Sequence, residues 1–295
     1  MSAGSVNTQS WKRLGLIAGA GTLPLRIAEA EREGGRPPFV VRLSEQTDPF
    51  ETYSVIRAHV GEVGKTIRRL RDEGCDAVCF AGHFTRPNFS EVKPDWRGAT
   101  LLPKVLGAAR RGDGAIIDVI VRAFEDEGFR VVGAEEAAGS LLVTAGRFGT
   151  HAPCAADFDD MRKASAIVEA LGTFDIGQGC VVRRGFVLAI EAAEGTDAML
   201  DRCRDLPASL KGFAPGEEGQ RQGVLLKRPK PGQELRVDLP TIGLRTVEKA
   251  SAAGLAGIAI RAKTGLIVDR EAVVEAADHL GLFVYGFSDE EVARQ

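Results

Sequence analysis

The chain has 295 residues, enough for two domains of ordinary size. A hydrophobic fraction of 44%, a charged fraction of 27% and a net charge of −3 describe a globular protein whose basic residues form no nucleic-acid footprint. No run reaches the ~18 apolar residues of a membrane span, and residues 1–12 lack the apolar core of a signal peptide, so they read as a frayed tail.

The first half alternates strand and helix patterns. Residues 14–18 read as a strand, 23–33 as a helix ended by Gly34 and Gly35, and 39–43 as a second strand. A helix at 65–73 stops at Gly74, and 77–81 forms a third, fully apolar strand. Helices near 100–111 and 115–127 and a strand at 129–132 follow. Apolar strands separated by helices imply a parallel sheet covered on both faces. The pattern weakens from 135 to 156, so a boundary is expected near 150, giving domains 1–150 and 151–295.

The second half starts with a helix at 158–171, then two β runs, 179–182 and 186–190, joined by Arg183-Arg184-Gly185 as a hairpin. Residues 224–227 and 235–237 suggest another hairpin across the Pro-rich turn 229–232. A helix (245–253), strands at 257–260 and 266–268, a helix (270–280) and a strand (283–286) complete it. The predicted fold class is α/β in two domains: an N-terminal Rossmann-like parallel-sheet domain and a C-terminal mixed-sheet domain.

Cys75, Cys79, Cys154, Cys180 and Cys203 have no framework spacing, and no Cys/His quartet for zinc exists. They suit a reduced, cytoplasmic compartment.

Gly19-Ala20-Gly21-Thr22-Leu23-Pro24 follows the first strand and opens the first helix. Free N–H groups and the helix dipole make such a turn an anion site, with Gly19, Gly21, Thr22 and Leu23 as contacts. Pro24 replaces the third glycine of the dinucleotide fingerprint, but Arg42 near Ser44 and Glu45 keeps an NADP site open. After the third strand come Gly82, His83 and Arg86, with Lys93 and Lys104 as further phosphate candidates.

Acids mark two strand ends in the second half. Glu191, Glu194 and Asp197 lie around Gly195 and Thr196, and Asp238 follows Arg236-Val237 and precedes Leu239-Pro240-Thr241. At the carboxyl end of strands such carboxylates suit a hard divalent cation beside a phosphate or diphosphate. Thr196 also reads as the N-cap of a helix beginning at Asp197, which is a purely structural use of that acid. An Asx-turn is the corresponding bland use of Asp238.

These motifs resemble the UDP-2,3-diacylglucosamine pyrophosphatases of the LpxI type, which serve lipid A biosynthesis. The matching pieces are residues 16–24, Phe80-Ala81-Gly82 with Arg86-Pro87, Asp175-Ile176-Gly177-Gln178, residues 191–200, and residues 230–243. The resemblance runs from residue 14 to about 286. It implies hydrolysis of UDP-2,3-diacylglucosamine to UMP and 2,3-diacylglucosamine 1-phosphate with Mg²⁺, by two domains closing on the substrate. It also implies that Asp238 is essential for turnover; the chemistry allows Asp238 either to ligate the metal or to accept the water's proton, with Glu191 and Glu194 as further metal ligands. Gly19, Gly21, Thr22, Leu23, Gly82, Arg86, Gln178, Gly195, Thr196, Asp197 and Thr241 are then substrate contacts. Where relatives often carry Gly-Asp-Asp this chain has Gly112-Asp113-Gly114, and Glu234 stands for an Asp. The expected setting is cytoplasmic, with transient contact at the inner-membrane surface, homodimerisation left open and no nucleic-acid partner. An NADP-dependent oxidoreductase and a non-catalytic nucleotide-sugar sensor are the competing readings.

Overall fold

In the computed structural model, which describes residues 10–43, 50–85, 87–210 and 220–293, the alternating apolar runs form two separate units. The first comprises the chain up to Ser140 plus Arg236–Asp238, and the second comprises Leu141–Leu235 and the chain from Leu239 onward. The division therefore falls at 140/141 rather than 150. A short strand at 146–148 explains the shift, because it pairs within the second unit.

The first unit carries β1 (Leu14–Ala18), α1 (Leu23–Glu33), β2 (Phe39–Arg42), β3 (Ser54–Arg57), α2 (Val63–Asp72), β4 (Ala77–Ala81), α3 (Trp96–Ala109), α4 (Asp113–Glu125), β5 (Arg130–Val132) and α5 (Ala134–Ala137). All strand pairings are parallel, in the order β3-β2-β1-β4-β5. Every residue of β1 and β4 is buried, as a sheet covered on both faces requires. Ile17, Phe39, Val41, Val78 and Phe80 pack against Ile67, Leu70, Val121 and Phe124 of the helices. Each such side chain contributes about 2 kcal/mol by leaving water. β3 was not expected from the sequence, because four largely exposed edge residues show no apolar run.

The tail is shorter than expected. Trp11 is buried and its indole N–H donates to Glu31 at 3.1 Å, while the Lys12 and Arg13 amides donate to Asp76. Helix α3 starts four residues ahead of its apolar pattern, since the Asp95 carboxylate accepts from the Gly98 amide at 2.8 Å and caps it. The same carboxylate accepts from the Lys65 amide at 2.8 Å in the first turn of α2. Burial alone would raise this carboxyl, but these amide bonds outweigh it and hold Asp95 below its usual range.

The second unit carries β6 (Gly146–Phe148), α6 (Ala155–Gly172), β7 (Gly179–Arg183), β8 (Phe186–Ile190), α7 (Gly195–Asp205), β9 (Val224–Lys227), β10 (Thr241–Ile242), α8 (Leu244–Ala252), β11 (Gly257–Arg261), β12 (Leu266–Ile267), α9 (Arg270–Leu280), β13 (Phe283–Phe287) and α10 (Asp289–Val292). Its sheet runs β6-β13-β11-β9-β7-β8, and β10 pairs with β12 apart from it. β9, β11 and β13 are mutually parallel, β6 and β7 join them antiparallel, and β8 pairs antiparallel with β7 and so runs in their direction. The hairpin expected at Arg183-Arg184-Gly185 is present, with Arg184 and Gly185 both at positive φ.

Alternate residues of each strand face opposite cores. Val181, Leu225, Ile258 and Val284 meet α7, α8 and α9 through Leu200, Val247 and Val273. Cys180, Val224, Leu226 and Ala259 meet α6 through Met161, Ala164 and Val168. The second predicted hairpin is absent. Residues 235–237 form a turn, and β9 takes β7 and β11 as partners instead. Burial raises the Cys75 thiol to about 11 and the Cys180 thiol to about 12, so both act as apolar packing groups. Among the described residues no helix is long and apolar enough to cross a membrane.

Candidate functional site

Open α/β sheets bind ligands beyond the carboxyl ends of their strands, where the strand order reverses. In the first unit that place is β1 against β4. There the glycine turn forms a clasp: the Gly19 amide donates to the Ala81 carbonyl, the Ala20 amide to the His83 carbonyl, and the His83 amide to the Ala20 carbonyl, each at 2.8 Å. A Cβ on Gly19 would stand 2.7 Å from the His83 oxygen, and one on Gly82 would stand 2.5 Å from the Ala20 oxygen. Gly19 and Gly82 are therefore dictated by close backbone approach, and the Gly19 amide is engaged inside the protein rather than aimed at a ligand. Gly21, at φ +93° with open space where a Cβ would stand, leads to Thr22 and Leu23 at the start of α1. No side chain caps that helix, which leaves its N-terminus fitted to an anion. Arg86 lies outside the described residues, as do Ser44 and Glu45.

In the second unit, the register brings Gly179, Lys227, Arg261 and Phe287 to one edge of the sheet. Glu191 joins them directly after β8, its amide donating to the Gly179 carbonyl at 2.9 Å. The Thr196 hydroxyl donates to Glu191 Oε1 at 2.9 Å, and the Lys227 ammonium donates to the Thr196 oxygen at 2.6 Å. Lys227 Nζ also lies 3.9 Å from Glu191 Oε2, an atom that is buried and has no hydrogen-bond partner. Lys227 is 5% exposed and Glu191 9% exposed, so this ion pair is removed from bulk water. Gly177 and Gly179 make room for it. A Cβ on Gly177 would meet the Glu191 carbonyl at 2.0 Å, and one on Gly179 would meet its carboxylate at 2.6 Å. Gln178, between them, receives the Arg228 amide on its carbonyl at 3.0 Å.

Within this unit, Glu194 and Asp197 turn to partners of their own rather than to Glu191. Helix α7 begins at Gly195 rather than Asp197, with Glu194 at the cap position. Thr196 thus lies inside the first turn and turns to Glu191 instead of capping. Glu194 pairs with Arg202, and Asp197 pairs with Arg245 of α8. A hard cation needs several oxygens aimed at one point, and among the described residues no three Asp, Glu, His or Cys side chains gather that way. Glu191 and Glu194 therefore do not fit a shared Mg²⁺, because each already faces an ammonium or a guanidinium.

Asp238 belongs to the first unit, and the chain re-enters the second at Leu239. No strand precedes it, contrary to expectation. It follows a turn in which Arg236 pairs with Glu125 at 2.7 Å and Val237 packs on the first unit's core. Thr241 sits in β10 and its hydroxyl donates to the Leu239 carbonyl at 2.9 Å.

Sequence reasoning missed the cations at the second edge: Lys227, Arg228 and Arg261. A signal existed in Lys227-Arg228-Pro229-Lys230-Pro231, where three basic residues leave a strand end along a proline-stiffened path. Arg228 donates to the Ser165 hydroxyl at 2.6 Å and to Glu169 at 3.4 Å, Lys230 pairs with Asp175, and Arg261 pairs with Asp289.

The family model of the LpxI N-terminal domain matches residues 13–141, and that of the LpxI C-terminal domain matches residues 144–285. The chain is also 48% identical over 281 residues to the UDP-2,3-diacylglucosamine pyrophosphatase LpxI of Caulobacter vibrioides, covering 95% of this chain and 99% of that protein.

Proposed function

The chain belongs to the LpxI family, and from that premise we propose that it hydrolyses the diphosphate of UDP-2,3-diacylglucosamine. Water adds to phosphorus, the bridging P–O bond breaks, and UMP and 2,3-diacylglucosamine 1-phosphate leave. The observation that carries this reading is the 48% identity to a pyrophosphatase across 95% of the chain, spanning both units. The open N-terminus of α1 at Gly21, Thr22 and Leu23 supports contact with a phosphate or the nucleotide. Asp238 accepts a proton from the attacking water.

Mg²⁺ stays in the proposal with Asp238 as the carboxylate that would hold it, and when bound it would lower the repulsion between an incoming oxygen and the anionic phosphorus. Gln178, Gly195, Thr196, Asp197, Thr241 and Arg86 remain proposed substrate contacts. A cytoplasmic setting with transient inner-membrane contact belongs to the same proposal and rests on the lipid character of the substrate.

Purified protein given UDP-2,3-diacylglucosamine and Mg²⁺ should release UMP, and chelation should stop the release until Mg²⁺ is restored. Asp238→Ala should lower turnover by about 10²–10⁴-fold while substrate still binds. Native turnover in that variant would remove Asp238 from the reaction, and absence of UMP under varied metal and detergent would favour a nucleotide-sugar sensor.

A further inference from the structure

A cavity of about 270 Å³ opens at the carboxyl edge of the second unit's sheet. Its lining brings Arg228, Lys230 and Arg261 together with Glu169. The walls are stiff. Pro231 and Gly232, the latter at φ +72°, turn the chain so that the Gln233 amide donates to the Lys230 carbonyl at 3.2 Å, and the Gln233 side chain accepts from the Lys230 amide at 2.8 Å. A Cβ on Gly172 would meet Pro231 at 2.6 Å, so α6 presses on the turn from below. Arg228 is held by the Gln178 carbonyl, Ser165 and Glu169, yet its Nε is buried without a hydrogen-bond partner.

Two guanidinium groups and an ammonium on a fixed frame match the charge and donor geometry of phosphate oxygens. Asp289, half exposed, pairs with Arg261 and lies 3.9 Å from Arg228, and Asp175 pairs with Lys230, so an incoming oxyanion competes with these two carboxylates for the three cations. The cavity is small beside pockets that enclose whole ligands, so it suits a phosphoryl or diphosphate group and not an entire nucleotide sugar.

We propose that this cavity is an oxyanion subsite that takes the phosphate-bearing part of the substrate. The inference rests on the pyrophosphatase reading and assigns the grip on the diphosphate to the basic residues Arg228, Lys230 and Arg261, none of which was expected as a ligand contact. Calorimetric titration of the full chain with inorganic pyrophosphate, at constant ionic strength in chloride, tests it without turnover. Binding is expected, and Arg228→Gln and Arg261→Gln should each weaken it about tenfold, the loss of one charged hydrogen bond. The same variants should raise KM for UDP-2,3-diacylglucosamine more than they lower kcat. Thermal unfolding without ligand shows whether Arg228→Gln remains folded; if it does not, Lys230→Gln and Arg261→Gln decide the matter. Pyrophosphate bound more tightly than phosphate points to the diphosphate, and equal affinity points to one phosphoryl group; both support the subsite. Native affinity in Arg261→Gln and Lys230→Gln, or no binding by the native chain at ~1 mM pyrophosphate, overturns it. UMP release with KM unchanged in the variants sinks the subsite and leaves the pyrophosphatase standing. Pyrophosphate binding lost in the variants, with no UMP from the native chain, does the reverse.

Discussion

The carboxyl edges of the two sheets are built from different materials. In the first unit the edge is backbone: three amide–carbonyl bonds between Gly19–Ala20 and Ala81–His83, where Gly19 and Gly82 leave no room for a side chain. In the second the edge is side chains: Lys227, Thr196 and Glu191 in a buried chain, with Arg228, Lys230 and Arg261 beside it. A backbone edge offers uncharged N–H donors whose positions follow from the fold itself. A side-chain edge offers full charges, and it holds them only while every partner is present. The difference predicts opposite sensitivities, the second unit to loss of a charge and the first to gain of a methyl group.

The largest effect is expected at Lys227. Lys227→Met keeps the length of the side chain and removes the ammonium, leaving Glu191 buried with only the Thr196 hydroxyl as partner. Removing one member of a buried ion pair costs about 3–5 kcal/mol, to be read as a lower urea midpoint with an unchanged slope. Glu194→Ala is the matched control. It breaks a pair with Arg202 whose members are 30% and 56% exposed, and surface pairs contribute at most ~1 kcal/mol. Equal losses in the two variants would show that Lys227 and Glu191 are solvated like any surface pair.

Why one edge was legible in the sequence and the other was not follows from the same contrast. Gly19, Gly21 and Pro24 stand in one short run after an apolar strand, so the turn and helix start can be read locally. The full parallel sheet of the first unit follows from such runs, apart from β3, whose exposed residues carry no pattern. The second edge gathers residues from 175, 191, 196, 227 and 261, and only the strand register brings them together. Acids at strand ends are visible in a sequence, but the cation each one faces is not. That is why Glu191 and Glu194 read as metal ligands and Asp197 as a substrate contact, while the structure pairs them with Lys227, Arg202 and Arg245. Asp238 was misplaced for a related reason: its β-branched neighbour Val237 packs on a core from a turn, without a strand.

A methyl group at the first edge should have the next largest effect. Gly82 sits at φ +90°, and a Cβ there meets the Ala20 oxygen at 2.5 Å and Pro24 at 3.0 Å. Gly82→Ala adds backbone strain and a clash with main chain, together worth roughly 1–3 kcal/mol, and the clasp must open to relieve it. Gly21→Ala supplies the comparison, since φ is also positive but nothing lies within 4 Å of the new Cβ. The Gly82 variant should be the less stable of the two, and faster amide exchange at Ala20 and His83 would locate the damage in the clasp. Equal melting temperatures for the two variants would leave strain alone as the reason for Gly82 and remove the argument from close approach.

The smallest effect separates carboxylates held by amides from carboxylates held by cations. Asp95 accepts from the amides of Gly98 and Lys65, joining the starts of α3 and α2. Asp95→Ala should cost about 1 kcal/mol, as loss of a helix cap does. Burial would raise the Asp95 carboxyl, but its amide bonds prevail and lower it in the folded state. Its stabilisation is therefore complete above the unfolded value of about 3.9, and it fades as pH falls through the lower folded value. Native and variant unfolding curves should stay apart at neutral pH and merge in strong acid. Amide bonds make no ion pair for salt to screen and the Arg68 charge is the least of the causes acting on Asp95, so most of the gap should persist in high salt, whereas the small Glu194–Arg202 contribution should vanish there. A gap for Asp95 that closes with salt at neutral pH would mean that this carboxylate, too, is held by cations, and the contrast between the two units would reduce to one of burial.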